Sequence, residues 1–579
     1  MRKLFIAALA LGAMVACNNG MEEVATTPAT GNEVALVSVS LKAAGDMTRA
    51  EVGSFEDGSV TENAIKNATF YFFDENGGVY TVAGSGSTAT NAVEVAEDQL
   101  ANWKDDDTTP NNIEAISNIV LVLKAHMDTP PAKMVALINV DAPATFANKT
   151  LAELKAMSTA LKSGDHFVMS NSVYEDTKVG EVVYATQIQP ENIFTTPDPA
   201  EGVEPGDAYQ AAKTAGVEPV KIYVERVAAK VRVDVKNTLT ATTITVPADE
   251  ENGTSASEYK IYPVTGATDT YVRILGWDVT NTVAKSHLIK KYAEATGFDA
   301  YNNPSLFRSH WAATYSTENA PVHGLAFNAI TKTVGSEAYY HENTLSETNA
   351  TGWYNTPAVT TGATEAAQLI VAAQLCNVDG TPKAFGSWYG KTYADVDGLK
   401  ANMINNAAKK IFVLKDRTEV TKGGETTITS YYDGITADDV TYYQIPATTS
   451  YTPDQDSDRR YEVRVKATEG TTYYKYDGSE WTAAEVNATL NSIEPAMIWT
   501  SGYTYYYTMI DHYGDSDGIV RNHLYDIKLA SFNGFGTPVY DPTHVVVPEK
   551  VVEQEPYHLT AEINVLSWAL VSQDVELGK

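Results

Sequence analysis

The last stretch of the chain, Tyr557 to Lys579, sets the tightest limit on the fold. Apolar residues alternate with polar ones through Leu559, Ala561, Ile563 and Val565. After a one-residue slip the alternation resumes at Leu566, Trp568 and Leu570. A period of two marks a strand with one buried face, and a slip of one is what a bulge or a change of sheet produces. Pro542, Pro548 and Pro556 precede it. Proline has no N–H to give to a ladder, so this segment is expected to be an extended spacer and not a central strand. A strand on a spacer can pair with its own domain or with another subunit. The expectation is that this one leaves its own domain.

The amino end supplies the reason. Arg2 and Lys3 precede an apolar run, Leu4 to Val15, that ends in small residues, the pattern of a secretory signal peptide over 1–16. The run is too short to cross a membrane, which takes about 20 residues. Met14-Val15-Ala16-Cys17 resembles a bacterial lipobox, which implies cleavage before Cys17 and lipidation (palmitate) of its thiol. Cys376, the other cysteine, then has no intramolecular partner, so packing must hold the chain together. Glu33 to Leu41 alternates cleanly, with Val37, Val39 and Leu41 on one face of a strand. A small polar loop follows, with Arg49-Ala50 at its centre. Such loops are where proteases cut, although a plain surface loop has the same composition.

The formal net charge is −32. Residues 1–49 contribute none of it, because Arg2, Lys3, Lys42 and Arg49 offset Glu22, Glu23, Glu33 and Asp46. A surface this acidic repels phosphate backbones, which excludes nucleic acid as a partner. The 34 tyrosines and many threonines, with little helical patterning, point to an all-β chain with minor helices.

Along the chain, residues 62–79 place Phe70 and Phe72 on one face of a strand and Tyr71 and Phe73 on the other. Strands are expected at 119–123 and 134–140, and a short amphipathic helix from Thr150 to Leu161. An acidic, Pro- and Gly-rich linker covers 195–208. Val217 to Lys236 alternates at length, and a domain boundary is placed near residue 222. A helix is expected at 397–410, and a small inserted element with its own helix at 471–493. A hairpin of two long strands, 497–509 and 519–529, is expected to turn through Asp515 to Gly518.

Catalytic and metal signatures are missing from the sequence. Asp454, Asp456 and Asp458 have the spacing of a calcium loop, but Arg459 and Val465 stand where its Gly and Glu belong. His341-Glu342 has no second histidine at metalloprotease spacing, and there is no nucleophile elbow, P-loop or paired CxxC. No cofactor and no enzymatic activity are expected.

Several stretches coincide with one family. The lipobox at Cys17, the pattern Ile65, Asn67, Phe73, Asp74, Gly77, the pair Met169-Ser170 and VERVAAKV at 224–231 are similar to the fimbrillins, the major subunits of Bacteroidales type V pili. The block from Gly502 to Pro538, with VRNHLY inside it, and the terminal Trp strand add to the resemblance, which is strongest to the short-fimbria subunit. It implies two transthyretin-like β-sandwich domains in tandem, at 50–222 and 223–556, after a lipidated propeptide at 17–49 and before a donor strand at 557–579. It also implies that an arginine-specific protease cuts at Arg49/Ala50 and removes the first strand. The donor strand of another subunit then fills the groove, giving a head-to-tail polymer. Burying Ile563, Val565, Leu566, Trp568 and Leu570 would contribute roughly 7–15 kcal/mol before association costs. Implied partners are further copies of the chain, anchor and tip subunits, the protease, and receptors on host or bacterial surfaces. The competing expectations are a glycan-binding lipoprotein using Trp353, Trp388 and Trp481, a pilus tip or anchor adhesin, and, more distantly, a secreted hydrolase.

Overall fold

A computed structural model describes residues 33–44, 55–96, 101–102, 113–123, 130–197, 220–246, 257–292, 301–344, 366–405, 411–444, 460–465, 472–546 and 568–577, apart from short gaps within these ranges. The chain opens with β1 (Glu33–Ala44), the two-residue β2 (Phe55–Glu56), β3 (Asn67–Phe73), β4 (Ala92–Ala96) and β5 (Ile113–Leu123). Next come β6 (Lys133–Ile138), β7 (Met169–Asn171), β8 (Ile193–Pro197) and β9 (Val220–Arg226). All but β2 join one sheet, in the order β4-β3-β6-β7-β9-β1-β5, with β8 also paired to β1.

β3 shows why this sheet is covered on both sides. Its alternating aromatics send Phe70 and Phe72 into one core with Met134, Ala136 and Ile138. Tyr71 and Phe73 enter another, with Val135, Leu137, Phe146 and Leu154. The buried Tyr71 hydroxyl donates to the carbonyl of Pro143 at 2.8 Å, so it is not left unpaired. The helix over the second core, α1 (Leu151–Ala156), is shorter than its expected span to Leu161. Thr150 caps it, in a reciprocal box with Glu153. It stops at Met157 because Ser158-Thr159 pairs as a strand with Ser286-His287 instead.

The alternating run expected at 217–236 is two strands. Val227 separates β9 from β10 (Ala228–Val235), which lies in a second sheet. That sheet also contains β11 (Ser257–Thr265), β12 (Tyr271–Thr280), β13 (Glu337–His341), β14 (Gln368–Cys376), β15 (Tyr503–Met509), β16 (His523–Asn533) and β17 (Trp568–Leu577). Its order is β2-β17-β16-β11-β12-β14-β15, with β10 between β16 and β13. β11 turns the corner: Ile261 to Pro263 pair with β12, while Val264 and Thr265 pair with β16. The two halves close on Val231, Val233, Ile527 and Leu529 from one layer and Val272, Trp277, Leu369 and Val371 from the other. The fold is all-β with few helices, as composition and resemblance lead one to expect.

The expected hairpin of 497–509 with 519–529 does not form. β15 pairs with β14, from Gln368↔Met509 to Gln374↔Tyr503, whereas β16 pairs with β10 and β17 in the other layer. Of the expected turn, Asp515 to Gly518, the residues Ser516 to Gly518 belong to a short strand, Ser516–Ile519, that pairs with Asn343-Thr344 through Gly518 and Ile519. Gly518 is required there: its φ is +113°, and a Cβ would stand 2.3 Å from the carbonyl oxygen of Asn343.

The inserted element is larger than 471–493. The described residues between Cys376 and Tyr503, two ends of neighbouring antiparallel strands, include a module with its own core of Leu399, Met403, Ile411, Val486, Leu490 and Ile498. Its helices are α2 (Val396–Asn405) and α3 (Ala483–Leu490), the second capped by Thr482 with Glu485.

Candidate functional site: the first and last strands

β1 is an interior strand. On one side Ala35 to Ala44 pair with β5, in a register that sets Val37 opposite Leu121 and Val39 opposite Ile119. On the other side Glu33 to Val37 pair with β8 and Val39 to Ala43 run parallel to β9. The core beside it holds Leu121 and Leu123 from β5 and Val220, Ile222 and Val224 from β9, all buried. Without β1, two facing edges of unpaired N–H and C=O groups would border an open apolar slot. Such an edge pairs readily with another chain.

β17 is placed differently. It runs parallel to β16, from His523↔Ala569 to Phe532↔Leu577, and among the described residues its other side carries only β2, with Phe55↔Ala569 and Glu56↔Trp568. It therefore sits almost at the sheet edge and could leave with one long ladder broken. Trp568 and Leu570 belong to it. Cys17, Arg49, Ala50, Leu559, Ala561, Ile563, Val565 and Leu566 lie outside the described residues.

The VRNHLY block, singled out by its pattern, proves to be buried cement at the junction of the two sheets. Arg521 pairs with Glu342, its Nε donating at 2.7 Å, and its guanidinium also reaches the carbonyl of His287. Asn522 Oδ1 accepts from Arg226 at 3.1 Å, and its backbone oxygen accepts from Arg308. Lys290 and Glu225 form a further buried ion pair at 2.8 Å. These charges were not legible as a set, because no spacing in the sequence announces that residues 225, 290, 342 and 521 meet.

Histidines complete the junction through a hydrogen-bonded chain, with the Tyr513 hydroxyl also 3.1 Å from His310 Nδ1. Tyr525 donates its hydroxyl proton to His512 Nδ1 at 2.8 Å and accepts from the Val520 amide. His512 Nε2–H donates to the carbonyl of His310. His310 Nδ1–H donates to His523 Nε2 at 3.1 Å, and His523 Nδ1–H to the carbonyl of Arg521. Each ring is neutral in this arrangement, and a further proton on His523 Nε2 would face the Nδ1–H of His310. Burial holds His512 down to about 3 and pushes His310 and His523 well below the ordinary value. Burial likewise lowers His287 and His341 to about 4.

An acid sensitivity follows. These rings are weaker bases folded than unfolded, where the value is about 6.5. The unfolded chain thus binds more protons below that pH, and stability present above pH 6.5 is lost as pH falls toward 4. The slope is about 1.4 kcal/mol per pH unit for each ring that titrates. The melting temperature should be level from pH 8 to 7 and fall steeply from 6.5 to 4, with uptake of more than two protons on unfolding. A level profile across that window would contradict the neutral-ring assignment.

Other sequence candidates have structural roles. His341 Nδ1 meets Ser286 Oγ at 2.9 Å, and Glu342 holds Arg521. Trp388 donates its indole N–H to the carbonyl of Glu494, and Trp481 lies under Lys475, both at the edge of the module core. Trp353 and Asp454 to Asp458 lie outside the described residues. Among the described residues no group of His, Cys, Asp or Glu could hold a metal ion.

Residues 497–574 match a family model described as major fimbrial subunit protein type IV, fimbrillin, C-terminal. That region includes β15, β16 and most of β17. Among solved structures, the chain is similar to a tip fimbrial protein from Porphyromonas gingivalis with a C-terminal truncation, at 10% identity and a TM-score of 0.25, covering 69% of this chain and 100% of that one. It is also similar to a fimbrial assembly protein from Parabacteroides distasonis, at 11% identity and a TM-score of 0.24, covering 75% and 96%. No curated protein matches it.

Proposed function

We propose that this chain, a fimbrillin by its 497–574 region, is a stalk subunit that polymerises by strand exchange after proteolysis. Fimbrillins are structural proteins of the cell-surface fimbrium, with a role in adhesion and no enzymatic activity. Beyond that, the proposal has four steps. The signal peptide directs export, and the chain, lipidated at Cys17, reaches the outer membrane as a lipoprotein. An arginine-specific protease cuts between Arg49 and Ala50. β1 departs, and the segment from Leu559 to Leu577 of another subunit takes its slot. Anchor and tip subunits of the same fimbrium, and receptors on host or bacterial surfaces, are the remaining partners.

The observation that carries this is the position of β1. It is interior, paired on both sides, yet only ten residues, 45–54, separate it in sequence from β2. One cut among them would detach a complete interior strand and no other described element. The contact made by refilling the slot is head-to-tail, so it propagates as an open filament and does not close as a dimer.

Shearing the filaments from cells and reading the amino terminus by mass spectrometry tests the route. The expected terminus is Ala50. A lipidated Cys17 in the main surface species would overturn the stalk assignment and leave an anchor or tethered binding protein.

A further inference from the structure

The segment just beyond the proposed cut does not stay with β1. β1 lies in the first sheet, whereas β2 is the outermost strand of the second, antiparallel to β17 through Phe55↔Ala569 and Glu56↔Trp568. Residues 45–54 therefore join the removable strand in sequence to the strand that covers the donor.

Among the described residues, one charged side chain, Arg232, holds β2 in place through Glu56. The Glu56 carboxylate takes both ends of the Arg232 guanidinium, Oε1 from Nη1 and Oε2 from Nη2, each at 3.0 Å. A two-pronged pair of this kind fixes direction as well as distance. Arg232 stands on β10, the strand beside β16 on the side away from β17. The Glu56 and Arg232 side chains thus meet across β17 and β16, which lie between β2 and β10 in the sheet, and the pair spans the donor strand. Arg232 also pairs with Asp526 on β16 at 3.0 Å and with Glu337 on β13 at 3.4 Å. Lys528 supports Asp526 at 2.8 Å, and Lys230 supports Glu337 at 2.8 Å. The other carboxylates around Arg232 are thus secured without Glu56, and only Glu56 belongs to the segment outside the sheet's long strands.

We propose that β2 is a latch on the donor strand, closed by Glu56 on Arg232 and kept in place by its covalent link to β1. This rests on the strand-exchange function above and adds its regulation. In the uncut chain, β1 and β2 are each seated in a different sheet, so the segment 45–54 is tied at both ends and β2 has little freedom to lift. The cut at Arg49/Ala50 turns 50–54 into a free end, and the latch then must hold β17 against the full chain entropy of that end. One cleavage would both vacate the acceptor slot and loosen the donor. Uncut subunits would keep their donor strands covered, and premature assembly would be suppressed.

Hydrogen exchange of the 568–577 amides, read by mass spectrometry on the full chain, tests the latch. The comparison is of uncut wild type, wild type cut at Arg49, and uncut Glu56→Gln. Exchange in the uncut variant should be about tenfold faster than in uncut wild type and close to that of the cut wild type, with the 133–138 amides of β6 unchanged. Equal exchange in the uncut variant and uncut wild type would overturn the latch. So would a cut that leaves 568–577 as protected as before. Assembly of the cut chains is scored separately. If it proceeds while exchange is insensitive to Glu56, strand exchange stands and the latch falls. If the latch signature is seen but chains lacking 557–579 still assemble, the latch stands and strand exchange falls.

Discussion

Chains that begin at Ala50 are expected to form ladders resistant to SDS, and the same chains lacking 557–579 are expected to remain monomeric. The loss should be essentially complete, because the two strands differ in what they leave behind. Removing β1 exposes two edges, those of β5 on one side and of β8 and β9 on the other. Each buried N–H or C=O group left without a partner there costs about 1–3 kcal/mol. Releasing β17 breaks one long ladder with β16 and a two-residue contact with β2. A donor strand therefore exchanges a near-edge position for an interior one and gains a second full ladder. Its apolar alternation adds roughly 1.5–3 kcal/mol for each large side chain seated in the slot. Density gradients or native gels with the truncated chain check the result; ladders that persist without 557–579 would show that another contact joins the subunits.

Replacing Arg521 by Met is expected to destabilise the subunit by about 3–5 kcal/mol, the usual loss when one partner of a buried ion pair is removed. Glu342, which is fully buried, would be left charged with no guanidinium. The effect should spread to both sheets, since Arg521 also binds the carbonyl of His287, and its neighbour Asn522 holds Arg226 and Arg308. The double variant Arg521→Met with Glu342→Met should recover most of the loss, because two apolar residues of similar volume replace two buried charges. Urea denaturation of the three chains separates the outcomes. A single variant as stable as the wild type would mean that the pair contributes nothing to the junction.

How far the sequence reaches can be judged from particular elements. β1 and β3 were legible because alternation reports which face of a strand is buried, and in β3 both faces are aromatic. The helix at α3 was legible, and Thr482 with Glu485 announces its start. Alternation does not name a partner, however. β15 and β16 carry the pattern of a hairpin yet lie in different layers, since either run satisfies its pleat equally well beside another strand. The break at Val227 does leave a trace, because the apolar positions 220, 222 and 224 give way to 229, 231 and 233, a slip of one residue where the chain changes sheets. The histidine chain and the Glu56–Arg232 contact join residues far apart in sequence, so only folding brings them together. For the proposed site, Trp568 and Leu570 are placed in β17, and the remaining predicted positions lie outside the described residues.

The most direct measurement of strand exchange is a cysteine cross-link across the slot. A chain beginning at Ala50 has one cysteine, Cys376, which is buried. Asn118 on β5 stands opposite Ser40 of β1 in the uncut chain, so Asn118→Cys marks the wall of the slot. Single cysteines placed in turn along 559–570 of the donor segment would then be oxidised with it. Strand exchange predicts disulfides between subunits at the donor position that comes to lie opposite residue 118 and, more weakly, at the same-face positions two residues to either side, with the positions between them spared, formed in chains cut at Arg49 and absent from uncut ones. Cross-links with no alternation, or equally abundant before the cut, would contradict it.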